Sequence, residues 1–128
     1  MTDQELNEKY WLDGVDDALT TTQALFEKKI YHHALFYCQF AAEKQLKAYI
    51  TKNLDRQAPP IHDLIDLAKI AKISLTASRS EQLRTITRFN IAARYDDGDY
   101  SFKKYVNRKY ALTWYKITKE IIAWLKKL

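Results

Sequence analysis

Apolar residues recur every three or four positions through most of this chain, and nowhere do they alternate with polar residues for long. That period is helical. Tyr10 and Trp11, Val15, Ala18 and Leu19, Thr22, then Leu25 and Phe26 make one stripe, which predicts a helix over about residues 4–27. Thr2 or Asp3 can cap it, and Glu5 falls in its first turn, where a carboxylate suits unpaired amides. Gly14 interrupts the stripe at a propensity cost of about 1 kcal/mol, so close packing is the expected reason for it. A second stripe, Tyr31, Ala34/Leu35, Cys38, Ala41/Ala42, Gln45/Leu46 and Tyr49/Ile50, predicts a helix over about 30–53. Pro59 and Pro60 close the following stretch, because proline is excluded from helix interiors and pushes the preceding residue toward extended backbone. A short helix over about 61–73 is built on Leu64, Leu67, Ala68 and Ala71, and a fourth runs from Ser78 or Ser80 to about Arg94. YDDGDY at 95–100 reads as a turn, and a last helix starts near Ser101. These elements predict a single all-α domain over 1–128, an up-and-down antiparallel bundle of four to five helices.

Composition narrows the chemistry. Two glycines and two prolines in 128 residues argue against glycine-rich phosphate loops and turn-rich β folds. A lone cysteine excludes an internal disulfide and a cysteine-based zinc cluster. No apolar run approaches the roughly 18 residues of a membrane span, and the opening MTDQELNEKY does not resemble a secretory signal. A cytoplasmic protein without membrane contact is therefore expected. The formal charge is +5, but residues 1–100 carry 13 basic and 15 acidic side chains. Residues 101–128 carry eight basic side chains and only Glu120, so the positive charge belongs to the last segment and points to an anion or an acidic partner there.

No P-loop, dinucleotide-binding or HExxH pattern occurs, and no metal or cofactor is expected. Cys38 sits on an apolar stripe and reads as a core thiol. His32 and His33 point about 100° apart on a helix, which suits helix-end polar residues better than one metal. Arg56 and His62 bracket the proline turn as R-x5-H. Histidine can move the proton of a ribose 2′-hydroxyl while arginine holds phosphoryl oxygens, so the pair suits RNA cleavage. It equally suits a structural turn, with His62 beside Asp63 at the start of the third helix. Glu43/Lys47 and Arg84/Arg88 are i,i+4 pairs of the kind found on solvated faces. Lys44, Arg88 and Arg94, with Tyr95 and Asp96, are candidate ligand-binding residues if their helices adjoin.

YHHALFYCQFAAEKQLKAYI at 31–50, PPIHDLIDLAK at 59–69 and RFNIAARYDD at 88–97 together resemble the HEPN family, named for higher eukaryotes and prokaryotes nucleotide-binding. The resemblance covers nearly the whole chain. It implies a helical bundle, often a homodimer, and for small members a minimal nucleotidyltransferase protein as partner. It implies binding of a nucleotide or RNA and a role in toxin–antitoxin or defence systems. Some members are metal-independent ribonucleases with an R-x(4–6)-H motif. Arg56 and His62 match that spacing, but in the loop after the second helix rather than on a later helix. The expected function is a noncatalytic module that binds a nucleotide or a nucleotidyltransferase partner. The alternatives are a ribonuclease toxin using Arg56 and His62, and a scaffolding bundle.

Overall fold

The computed structural model describes residues 1–93 and 101–128, among which the regular elements are all helices. In chain order they are α1 (Asp3–Glu27), α2 (Tyr31–Asn53), α3 (Leu64–Ile70), α4 (Ala77–Ala92), α5 (Ser101–Tyr105) and α6 (Arg108–Lys126). The helical class holds, and one count changes. The expected last helix is two, because the Asn107 side chain accepts from the Tyr110 amide at 2.9 Å and starts α6 afresh. None of the described helices is long and apolar enough to cross a membrane.

Caps set the other boundaries. Thr2, not Asp3, caps α1, accepting from the Glu5 amide. α3 begins at Leu64 rather than 61, because the Asp63 carboxylate takes the amides of Ile65 and Asp66. Thr76 caps α4, which begins at Ala77, one residue ahead of Ser78, the earlier of the two expected starts.

α2 is the hub and packs against α1, α3, α4, α5 and α6. Its buried residues therefore lie on most of its circumference, Gln39, Glu43 and Lys47 among them. The main core joins Leu35, Cys38, Leu46 and Ile50 to Leu67, Leu83, Ile86, Phe89, Ile121 and Leu125. A smaller cluster of Val15, Ala18, Ala41 and Ile122 locks α1 to α2 and α6. α6 is one-sided: Ala111, Tyr115, Thr118, Ile122 and Leu125 face inward, and Lys109, Lys116, Lys119 and Lys126 are exposed.

Two helix ends use lysine where glycine is usual. Lys29 (φ 62°) and Lys72 (φ 59°) are left-handed. Each is followed by an isoleucine whose amide reaches back into the helix, Ile30 to Leu25 and Ile73 to Ala68. This is the Schellman arrangement. A side chain in that conformation costs about 1–2 kcal/mol, and glycine gives part of that back in unfolded-chain entropy. Lys72→Gly is accordingly expected to raise stability by about 0.5–1 kcal/mol, read as a higher urea midpoint at unchanged slope.

Candidate functional site

Lys44 lies half-buried on α2 against α1. Its ammonium sits 4.4 Å from the Phe40 ring centroid, 5.3 Å from Trp11 and 5.9 Å from Tyr10. A cation near several ring faces is held by their quadrupoles. Gly14 makes this position possible. A Cβ there would stand 2.6 Å from Lys44 Cδ and 3.3 Å from Nζ, so the glycine makes room for the lysine stem. Close packing is indeed its use, against a side chain. The ammonium borders a cavity of about 350 Å³ between α1 and α2, walled by Tyr10, Tyr37 and Phe40 and edged by Asp13 and Asp17. Rings can stack on a planar base, a lysine can take an anion, and carboxylates can accept from hydroxyls or amines.

One turn along α2, around the helix from Lys44, lies a polar chain the spacing did not disclose. Glu43 and Lys47 are 3% and 4% exposed and form an ion pair of 2.9 Å, so they are no solvated face. Gln39, fully buried, donates to Glu43 Oε1 at 3.1 Å and to the His62 carbonyl at 2.9 Å, and accepts from Asn90 of α4. His62 Nδ1 lies 3.1 Å from both carboxylate oxygens of Glu43. A carboxylate only accepts, so Nδ1 carries the proton. The His62 side chain is otherwise 67% exposed. This network ties the loop before α3 to α2 and α4. The i,i+4 spacing of Glu43 and Lys47 was the only hint of it, and burial was the missing half.

The remaining candidates are dispersed. Arg56 is exposed and lines a different cavity, with Asp3, Gln4 and Asn7 of α1, while His62 is engaged by Glu43. Arg88 is exposed on α4, where its guanidinium donates to Thr85, and Arg84 pairs with Glu81. Lys44 instead faces α1. Arg94, Tyr95 and Asp96 lie outside the described residues. Cys38 is fully buried, and that burial pushes its thiol up to about 12, which keeps it protonated and unreactive at neutral pH. Among the described residues no cluster of three or more histidine, cysteine or carboxylate side chains is placed to hold a metal.

A family model for the HEPN domain matches residues 8–128. The chain belongs to the HEPN family. Among curated proteins, no sequence matches it. Among solved structures, this HEPN chain is similar to the crystal structure of TT1696 from Thermus thermophilus. The TM-score is 0.78 at 19% identity, covering 94% of this chain and 96% of that one. At that identity the likeness concerns the HEPN fold alone. Within this member, the AAEK segment of α2 serves two purposes. Glu43 enters the buried network and Lys44, the next residue, turns to the α1 cleft.

Proposed function

We propose that this HEPN protein is a noncatalytic module that binds a nucleotide in the α1–α2 cleft, with a nucleotidyltransferase-type protein or a second copy as partner. The observation that carries this reading is Lys44. A glycine makes room for it, three rings surround it, and it borders a cavity with both stacking surfaces and carboxylates. A cavity of about 350 Å³ is within the range of small-ligand sites. Leu6 and Tyr10, one turn apart on α1, are 51% and 64% exposed, which supports a protein docking beside that ligand. The different settings of Arg56 and His62 favour binding over RNA cleavage.

Gly14→Ala tests this sharply. The added methyl displaces the lysine stem without removing its charge, while alanine improves helix propensity by about 1 kcal/mol. Calorimetry with nucleoside triphosphates is expected to show binding that weakens about tenfold or more in Gly14→Ala and in Lys44→Met, a loss of about 1.4 kcal/mol. Thermal stability of Gly14→Ala should stay at or above that of the parent. Unchanged affinity in both variants, or no binding at about 1 mM nucleotide, overturns the cleft as the site. RNA cleavage that survives a chelator and is lost in His62→Gln overturns the noncatalytic reading.

A further inference from the structure

A cavity of about 110 Å³ lies where the N-terminal half of α1, the C-terminal half of α2 and the end of α6 meet. Gln45 of α2 lines it and is only 4% exposed. Its Oε1 is buried and has no hydrogen-bond partner, the single such side-chain atom among the described residues. An unpaired buried acceptor costs free energy that an apolar group of the same shape does not. An orphaned amide on a cavity wall therefore calls for a donor from outside the chain. Charged groups of both signs stand around it. Glu8 of α1 brings a carboxylate, and Lys52 of α2 and Lys126 of α6 bring ammonium groups. None of these three forms an ion pair among the described residues. Leu12 and Leu125 supply an apolar wall. The volume is several times the roughly 30 Å³ share of one water and well under the roughly 300 Å³ at which drug-sized sites begin. It suits a molecule of a few heavy atoms and excludes a nucleotide.

We infer that this cavity is a binding site for a small α-amino acid in its zwitterionic form. The ligand's ammonium group donates to Gln45 Oε1 and the Glu8 carboxylate, and its carboxylate accepts from Lys52 and Lys126. Both lysines are exposed, so their flexible stems are free to turn to it. A short apolar side chain lies against Leu12 and Leu125. A ligand with one charge only would leave either the lysines or the acceptors unanswered. The site shares no lining residue with the Lys44 cleft and stands whether or not that cleft binds a base.

The test is calorimetry of the full chain with L-alanine, ethylamine and propionate, the last two being alanine without its carboxylate and without its ammonium group. L-alanine is expected to bind the parent about tenfold or more tightly than either fragment. Gln45→Met keeps the length of the side chain and removes the amide, and Glu8→Gln, at a half-buried position, removes the negative charge. Each is expected to weaken L-alanine about fivefold or more. In urea, the Gln45→Met chain, freed of its unpaired acceptor, should unfold at a higher concentration than the parent. That rise separates a ligand site from a structural role. An amide that only holds trapped water would give up those bonds in Gln45→Met, and the lowered midpoint would overturn the inference. No binding of L-alanine at about 10 mM, binding of ethylamine or propionate as tight as that of alanine, or unchanged affinity in both variants would overturn it as well.

Discussion

Leucine in place of Glu43 is expected to remove about 3–5 kcal/mol of folding stability. The carboxylate is 3% exposed and pairs at 2.9 Å with Lys47, itself 4% exposed. Its removal leaves the ammonium of Lys47 without its carboxylate, on an almost wholly buried side chain. The other partners lose less. Gln39 keeps the His62 carbonyl, and His62, with most of its ring exposed, can turn to water. The cost therefore falls on the unpaired lysine, and the double variant Glu43→Leu/Lys47→Met should recover most of it, since a buried ion pair gains little over well-packed apolar groups. Urea denaturation of the two single variants and the double variant gives the coupling directly. A single-variant loss below about 1 kcal/mol would show that the pair opens readily to solvent. With a typical domain holding 5–15 kcal/mol in all, the expected loss is enough to leave Glu43→Leu partly unfolded at 37 °C.

Phe89→Ala is expected to cost a similar amount, about 3–5 kcal/mol, for a different reason. The ring is 2% exposed and meets Phe102 of α5 at 6.0 Å, Trp114 of α6 at 5.8 Å and Tyr110 at 6.3 Å between centroids. Among the described residues, it joins α4 to the α5–α6 corner through three ring contacts. Truncation leaves a void beside three aromatic rings and loosens α5 more than the α1–α2 pair, which has its own cluster in Val15, Ala18 and Ala41. Hydrogen exchange should show this gradient, with amides of α5 and the start of α6 losing protection before those of α2. Uniform loss along the chain would mean that the corner is no separate unit.

Periodicity located the helices because burial repeats every three to four residues on each of them. It failed where one polar side chain decides a boundary. Asn107 falls inside the stretch expected as one last helix from Ser101, yet it caps α6 and splits that helix from α5. At the site, the sequence offers Lys44 as a candidate ligand-binding residue and Glu43/Lys47 as a spaced pair. Nothing in the spacing reveals that α2 is surrounded. On a one-sided helix, residues 43 and 47 face solvent; on a hub, they face a neighbour, and the same pair becomes a buried network that includes His62. Gly14 was legible as a packing residue, but its partner was not, because Lys44 lies 30 positions away and only the α1–α2 crossing brings it near. The tyrosines were visible as residue types, whereas the cavity they line depends on which helices converge.

The placement of α2 also bears on where the chain can absorb change. A helix with neighbours on most sides has few positions at which a larger residue or an extra turn can be accommodated, since any displacement is passed to five other elements at once. The exposed stretch 55–57, between the end of α2 and the proline pair, carries no such burden. Engineered insertions, affinity tags or fluorescent reporters belong there, where lengthening costs only a slow rise in loop-closure entropy. A single residue inserted within α2 would rotate everything beyond it by about 100° and set Glu43, Lys47 and the core leucines against the wrong neighbours.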